Sequence, residues 1–255
     1  MSYAIRCISE AEVSTVVLDR PERKNSLTLK QMTEVAEAVK QCVADGARCI
    51  VIRGEADIFC AGRDLHDMDA STEDTEAIIR EQINPALATI RECSVPTIAA
   101  VKGPALGFGF GLALACDITL VADNAIMGSP FRNIGCTLDS GGHFYLRERI
   151  GVHRAAELIF SGRLVSGREA AGLGLVNRSV GALDLYRQVY VLAASIAAGP
   201  TAAFSASKHI LASTSGYEEM AVLEATYQAK LLRTTDGVEG ISAFQEKRKP
   251  TFIGK

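Results

Sequence analysis

Apolar and polar positions follow two alternating periods along the first part of the chain. Short β-rich runs at Val13 to Asp19 and Cys49 to Arg53 predict strands. Between them, apolar residues recur at helical spacing and predict a helix from Leu29 to Ala44, after a capping-box pattern that begins at Thr28. Because strand and helix signals continue to alternate, we predict an α/β fold with mostly parallel strand pairing.

The pattern changes twice further along. A predicted strand from Thr97 to Val101 leads into a glycine-dense segment, which opens a predicted helix at Phe110 to Cys116, and a strand follows at Asp117 to Ala122. Beyond this part the strand signals fade, and three helices are predicted: Leu183 to Ala197, Thr201 to Ser213 and Tyr217 to Arg233. We therefore expect a core over residues 1–197 and a C-terminal helical region over 198–255.

Composition excludes several classes of protein. The 255 residues are 48% hydrophobic and carry a formal net charge of −3. A chain this apolar is not disordered, and its acidic balance does not suit a nucleic-acid partner. The longest weakly charged stretch is broken by Lys102, Pro104 and several glycines, so no membrane partner is expected.

The cysteines point to a compartment. There are 7, an odd number at scattered spacings with no C-x-x-C pair, so neither a disulfide framework nor a zinc site is expected. The N-terminus lacks the pattern of a secretory signal. Together these observations favour the reducing cytoplasm.

Two glycine-containing motifs stand out as candidate chemistry. The first is Phe59 to Leu65 and the second is Val101 to Asp117. Glycine permits close backbone approach, and free N–H groups at a helix start favour negative charge. Neither motif matches a P-loop or a dinucleotide fingerprint, and each taken alone is explained as well by tight packing.

The order and spacing of these motifs are more specific. Together with five further blocks, they make the chain resemble the enoyl-CoA hydratase/isomerase family, the crotonases, over nearly its whole length. The five blocks are Leu18 to Leu27, Phe131 to Gly142, Arg149 to Gly151, Ser166 to Arg178 and Ala243 to Lys249. The resemblance implies a crotonase-like spiral of ββα turns followed by C-terminal helices that trimerise. It implies a homotrimer or a dimer of trimers that takes an acyl-CoA substrate. No metal or redox cofactor is implied, since coenzyme A is part of the substrate.

The resemblance also assigns roles to residues. The backbone N–H groups of Arg63 and Phe108 should form an oxyanion hole for a thioester enolate, where each donor contributes about 3–4 kcal/mol. Their side chains are not needed for that role. The remaining substrate-binding positions are Arg23, Lys24 and Leu27 on the coenzyme A path, Ala61, Gly62, Asp64 and Leu65 at the adenine end, Gly107 and Phe131, and Phe244 and Lys247 from a neighbouring subunit. Solvated loops or helix ends are the alternative for Arg23, Lys24 and Lys247.

The catalytic acid and base depart from the hydratase pattern. The two glutamates of the hydratases would stand at Gly111 and Phe131, and neither is present. One carboxylate remains in this segment, Asp139 in an Asp-Ser-Gly-Gly sequence. The position carries the working aspartate in dienoyl-CoA isomerases, in 4-chlorobenzoyl-CoA dehalogenase and in the isomerase of ring-epoxidised phenylacetyl-CoA, and the surrounding stretch looks most like the last.

A single aspartate suits proton transfer between two carbons, as in isomerisation of a double bond or a ring. Such a base needs an apolar setting that raises its pKa, and five residues are candidates to supply it: Phe108, Phe110, Phe131, Ile134 and Leu138. Three alternatives remain open. Asp139 could activate water in a weak hydratase or a hydrolase, or act as the nucleophile of a dehalogenase. It could be only a turn residue beside Ser140, or the protein could be a non-catalytic acyl-CoA-binding scaffold.

Overall fold

The computed structural model describes residues 4–66, 68–69, 71–212 and 216–255. The strands in this part of the chain are β1 (Ile5–Glu10), β2 (Val13–Leu18), β3 (Cys49–Gly54), β4 (Thr97–Val101), β5 (Pro104–Leu106), β6 (Ile118–Ala122), β7 (Ile126–Gly128), β8 (Val165–Ser166) and β9 (Arg178–Val180). Six of them form one sheet in the order β1-β2-β3-β4-β6-β9, and β5-β7-β8 form a second. Apart from the antiparallel β1–β2 and β7–β8 pairs, the strands pair in parallel.

The helices of the described residues are α1 (Leu29–Ala44), α2 (Thr75–Ile78), α3 (Asn84–Arg91), α4 (Phe108–Ala115), α5 (Gly142–Ser161), α6 (Gly167–Leu173), α7 (Leu185–Ala197), α8 (Thr201–Ala212), α9 (Tyr217–Leu231) and α10 (Thr235–Gln245). A π-helical stretch, Ile79–Ile83, joins α2 to α3, and short 3₁₀ turns lie at Pro21–Arg23 and Phe131–Ile134. The predicted α/β alternation is confirmed.

Helix α1 has the bounds that the sequence predicted, because its start is fixed locally. The Thr28 side chain accepts from the Gln31 N–H, and the Gln31 side chain accepts from the Thr28 N–H, which completes the predicted capping box. The predicted start of α4 at Phe110 is wrong by two residues, since the helix begins at Phe108. Gly107 stands before it with φ of 52°, a conformation that glycine adopts at little cost.

Helix α4 lies at the centre of the molecule. Every residue from Phe108 to Ala115 is buried. A helix that is apolar on all sides packs inside a protein rather than on its surface. The start of α4 is therefore held from several directions, which matters for the site described below.

A buried arginine before β3 helps to attach the C-terminal helices to the core. Arg48 donates to the carbonyl oxygens of Gly199 and Phe252 and, at 2.8 Å, to Thr201 Oγ1. Helix α9, in contrast, buries none of its residues. The proposed division at residues 197 and 198 stays a prediction. Among the described helices none is long and apolar enough to cross a membrane alone, although the bent pair α7 and α8 meets the criteria of length and composition together.

Candidate active site

Three chain segments lie side by side beneath the start of α4. Leu27 forms a parallel bridge with Arg63, through bonds from the Leu27 N–H to the Gly62 oxygen and from the Asp64 N–H to the Leu27 oxygen. Cys60 forms a second bridge with Ala105 in β5. The first glycine motif is thus held between the loop before α1 on one side and the second motif on the other.

This arrangement brings the backbone N–H groups of two segments close to each other. In the bridge to Leu27 the neighbours of Arg63 make the hydrogen bonds, so the Arg63 N–H faces the opposite side. Phe108 is the first residue of α4, and the first N–H groups of a helix have no acceptor within it. A Cβ on Gly62 would lie 3.7 Å from the Phe108 nitrogen, which places the two segments in close contact. Their role as an oxyanion hole stays a prediction.

Glycine is required where the segments touch. A Cβ on Gly109 would lie 2.6 Å from Cys60 Cβ and would also overlap the Cys60 carbonyl oxygen. Gly107 faces the Phe131 ring, whose Cε1 atom would be 3.3 Å from an added Cβ. The spacing of the two motifs therefore depends on the absence of side chains.

The close packing around position 111 explains why the hydratase glutamate is absent there. A Cβ on Gly111 would lie 2.5 Å from Ser140 Cβ and would overlap the Ser140 carbonyl oxygen. Ser140 is only 2% exposed and adopts a positive φ of 54°. The Asp-Ser-Gly-Gly segment occupies the space that a side chain at 111 would need, so the two features exclude each other.

Asp139 lies next to Ser140, partly buried, at the end of the segment that precedes α5. Burial raises the pKa of the Asp139 carboxyl, while the Ser140 hydroxyl and the Arg63 guanidinium act in the opposite direction. Its Oδ1 atom is buried and has no hydrogen-bond partner in the described protein.

The predicted apolar surroundings of Asp139 need one correction. Phe108, Phe110 and Leu138 are buried, and Phe131 is half-buried against Gly107. Ile134, however, is 62% exposed, because the 3₁₀ turn at Phe131–Ile134 directs it outward. Ile134 does not contribute to an apolar pocket.

The Arg63 side chain has an interaction that the sequence did not predict. Its guanidinium donates to Glu73 Oε1 at 2.6 Å, and both side chains are mostly buried. Glu73 Oε2 is buried as well and has no partner among the described residues. Glu73 was missed because it lies in an irregular polar stretch with no spacing signal.

The structure brings some of the predicted coenzyme A residues together: the Ala61 N–H donates to the Lys24 carbonyl oxygen, so the loop before α1 lies beside the first glycine motif. Phe244 lies in α10, and Lys247 follows its end. Leu27 is fully buried, so only its backbone is available to a ligand. Asp64 accepts a hydrogen bond from Arg20 at 3.1 Å. The pKa of the Asp64 carboxyl is lowered, mainly because it also accepts a hydrogen bond from the His66 N–H. The other predicted coenzyme A residues range from buried to exposed: Gly62 and Gly107 are buried, Ala61 is intermediate, and Arg23, Lys24, Leu65, Phe244 and Lys247 are exposed. Their contacts with coenzyme A stay predictions.

Asp117, at the end of the second motif, fixes local structure. Its Oδ2 atom accepts from the Thr97 N–H and hydroxyl at 2.8 Å each, and from Lys208 Nζ at 2.8 Å. These bonds tie the residue before β6 to the start of β4 and to α8, which is a structural role.

Fold and site together define an α/β spiral protein with paired backbone donors and one nearby carboxylate. The family model described as Enoyl-CoA hydratase/isomerase matches residues 9–255. The chain belongs to this family. The crotonase-like fold and the family membership expected from the sequence are thereby confirmed, and an acyl-CoA substrate is consistent with them.

Individual relatives cover the whole chain. It is 35% identical over 258 residues to a protein of Rhodobacter capsulatus named "Probable enoyl-CoA hydratase", with 100% of each chain covered. It is 33% identical over 253 residues to the 1,2-epoxyphenylacetyl-CoA isomerase of Escherichia coli, with 96% of this chain and 97% of the relative covered. A crystal structure of an enoyl-CoA hydratase subunit from Geobacillus kaustophilus superposes with a TM-score of 0.92 at 33% identity, covering 99% of both chains.

Proposed function

We propose that this protein is an acyl-CoA isomerase that moves a double bond, or rearranges a ring, by proton transfer through a single base. The substrate thioester oxygen accepts from the Arg63 and Phe108 N–H groups. Asp139 removes a proton from the carbon next to the thioester, and the electron pair moves into the carbonyl to give an enolate. The same carboxyl returns the proton to a carbon further along the acyl group, so no atom is gained or lost.

The observation that carries this proposal is the pairing of Gly111 with Ser140. Addition of water needs one group to activate the water and another to deliver a proton. The overlap at position 111 removes one of the two hydratase positions, and Phe131 stands at the other. Asp139 is left as the carboxylate of its segment, and its raised pKa suits a group that both takes and returns a proton.

The names of relatives support an enoyl-CoA hydratase or isomerase function, and they leave hydration and isomerisation to be compared. One relative is named an isomerase of 1,2-epoxyphenylacetyl-CoA, and another is named an enoyl-CoA hydratase. A weak hydratase or hydrolase with Asp139 activating water, or a dehalogenase with Asp139 as the nucleophile, is therefore the second candidate. A scaffold that binds acyl-CoA without turnover is the third.

The test is a product assay in D2O with a short 3-enoyl-CoA and the matching 2-enoyl-CoA, followed by NMR and mass spectrometry. We expect the two to interconvert, with deuterium entering the acyl chain and no gain of water. Asp139→Asn should lower the rate by about 10²–10⁴-fold. Asp184→Asn is the matched control, since Asp184 is exposed and its ion pair among the described residues is with Arg187. Full turnover by Asp139→Asn, or a mass gain of one water in the wild type, would contradict the proposal.

We also propose that the working form is a homotrimer or a dimer of trimers in the cytoplasm. Support comes from large apolar side chains exposed on the C-terminal helices, including Leu211, Val222 and Phe244, which is 83% exposed. Free cysteines in the described residues suit a reducing compartment. If Phe244 contacts coenzyme A of a neighbouring subunit, Phe244→Ala should raise KM for acyl-CoA while kcat is retained. Light scattering after size exclusion would give the number of subunits.

A further inference from the structure

A buried carboxylate lies in the first turn of α10, outside the candidate active site. Asp236 is 3% exposed, and its two oxygens accept hydrogen bonds from the Ile253 N–H at 2.7 Å and from the Gly254 N–H at 2.8 Å. The Asp236 N–H in turn donates to the Lys255 carbonyl oxygen at 2.8 Å. Burying a carboxylate costs free energy unless hydrogen bonds compensate for the lost water. Asp236 therefore binds the chain segment that follows α10, through backbone groups alone.

This segment, residues 250–255, is named the strap, and it also contacts the core. Arg48, directly before β3, donates to the Phe252 carbonyl oxygen at 3.2 Å. A Cβ on Gly254 would lie 3.2 Å from Arg48 Nε, and Gly254 has a φ of 82°, which favours glycine. The strap is thus held between Asp236 of α10 and Arg48 of the core.

Helix α10 buries little of its own surface. Its buried residues are Asp236 and Ala243. Packing of a buried apolar face is what normally fixes a helix in a protein, and α10 has little of it. Further bonds to the strap region run from Arg248 and from the Thr251 N–H to Glu239, but the Arg248 side chain is 41% exposed and such bonds contribute less. The position of α10 therefore depends mainly on the buried bonds of the strap.

Two predicted coenzyme A residues stand at the other end of this helix. Phe244 lies about 12 Å along α10 from Asp236, at 1.5 Å per residue, and Lys247 follows the helix end. Both residues are exposed. Because they are carried by α10 and its end, their position relative to the core follows from that of the helix.

We propose that Asp236 is a positioning residue for coenzyme A binding, acting through the strap and Arg48. By fixing α10 to the core of its own subunit, it places Phe244 and Lys247 where coenzyme A of a neighbouring subunit lies. This inference rests on the proposed contact of Phe244 with that coenzyme A. Loss of the Asp236 bonds then weakens binding and leaves the base, Asp139, in place.

The test is equilibrium binding of butanoyl-CoA, measured by titration calorimetry on the full chain. Asp236→Asn replaces one oxygen by an NH2 group, which cannot accept a hydrogen bond from the strap. We expect about tenfold weaker binding, the size of one lost contact. In the D2O assay this variant should raise KM by a similar factor and retain kcat within about threefold, since the reacting groups do not move.

Coupling to Phe244 separates positioning from a general loss of stability. Phe244→Ala should weaken butanoyl-CoA binding by about tenfold. The double variant Asp236→Asn/Phe244→Ala should be weaker than wild type by about ten- to thirtyfold rather than by about a hundredfold, because both changes remove the same contact. Asp184→Asn, at an exposed aspartate, is the control and should bind like wild type.

Gly254→Ala perturbs the strap without changing Asp236. Its added methyl would lie 3.2 Å from both Arg48 Nε and Thr201 Oγ1, at a φ that alanine rarely adopts. This variant should give the same weaker binding and the same coupling to Phe244, also if Asp236→Asn does not fold. Thermal melts should remain cooperative in the variants compared, and light scattering after size exclusion should give an unchanged number of subunits.

The outcomes separate this inference from the proposed function. Unchanged affinity in folded Asp236→Asn or Gly254→Ala, a fully additive double variant, or a changed number of subunits would overturn this inference alone. Unchanged affinity in Phe244→Ala would overturn the proposed coenzyme A contact and this inference with it. The binding results do not depend on which reaction Asp139 performs, so the isomerase proposal stands or fails separately.

Discussion

The two halves of the candidate site differ in what positions their functional groups. The donor half consists of the Arg63 and Phe108 N–H groups, which are fixed by backbone pairing and by the fully buried helix α4. The acid–base half is a side chain, Asp139, that follows an irregular segment in which residues 132–137 are all exposed. The donor half is therefore part of the core, and the acid–base half lies at the edge of the core.

This contrast explains how one scaffold can serve several reactions. A backbone donor is present whatever side chain stands at its position, so the enolate can be stabilised with arginine and phenylalanine at positions 63 and 108. An acid or base exists only if the side chain is right, and a surface segment tolerates exchange more easily than a core helix. We expect substitutions to separate the halves accordingly.

The largest effect should follow from restoring the hydratase glutamate in the donor half. In Gly111→Glu the new Cβ would overlap the Ser140 carbonyl oxygen, so either α4 or the Asp139 segment must move. We expect loss of soluble folded protein or a fall in isomerase activity of more than about 10³-fold, as when a catalytic group is displaced. Circular dichroism and the D2O assay measure both.

Gly172→Glu is the control for that substitution, because nothing lies within 4 Å of a Cβ at this exposed helical position. It should fold and retain activity. A soluble Gly111→Glu protein that adds water to 2-enoyl-CoA would show that the Ser140 segment moves to make room for the glutamate. The two halves would then not differ in how firmly they are held.

Gly109→Ala should have the next largest effect. The added methyl would lie 2.6 Å from Cys60 Cβ and separate the two motifs that carry the donors. Displacing one oxyanion donor costs about 10²–10³ in kcat, and the overlap should also lower Tm. Gly172→Ala is the control, and it should stabilise its helix by about 0.5–1 kcal/mol. Wild-type kcat in Gly109→Ala would mean that the donor spacing does not depend on this contact.

The sequence predicted the donor half better than the acid–base half, for a physical reason. The capping box of α1 and the glycine motifs are local signals, so α1 has the predicted bounds and the two motifs lie side by side. The exposure of Ile134 depends on the turn that carries it, which composition does not reveal. The Arg63–Glu73 pair depends on the path of a polar loop with no periodicity, and therefore only the folded chain brings it out.

A third prediction concerns pH. Burial raises the pKa of Asp139, so the activity of wild type should rise with pH as this carboxyl ionises, with a midpoint above the ordinary aspartate value. The raised pKa also affects stability: the folded state holds the proton more tightly than the unfolded chain, so this group's contribution is present at low pH and is lost as pH rises through the raised value. Asp139→Asn should therefore have a higher Tm than wild type at pH 8.

That difference in Tm should vanish only about one pH unit below the ordinary aspartate pKa of about 3.9, where the carboxyl is protonated in both states. Thermal melts of both proteins from about pH 3 to pH 8 provide the measurement, with Asp184→Asn as the exposed control. Equal Tm values throughout the range would show that ionised Asp139 is not destabilised by burial. The raised pKa would then no longer support Asp139 as the catalytic base.

The smallest effect should come from changing a side chain in the donor half while keeping its backbone. Phe108 is 3% exposed, so Phe108→Leu leaves some space in the core and should destabilise the fold by about 1–2 kcal/mol. Its N–H group is unchanged, however, and Gly107 still fixes the start of α4. We therefore expect kcat within about fivefold of wild type, because the donor contributes through the backbone. A loss approaching that of Gly109→Ala, in protein whose melting curve remains cooperative, would mean that the phenylalanine ring itself orients the substrate, and the donor half would then depend on side chains as much as the acid–base half does.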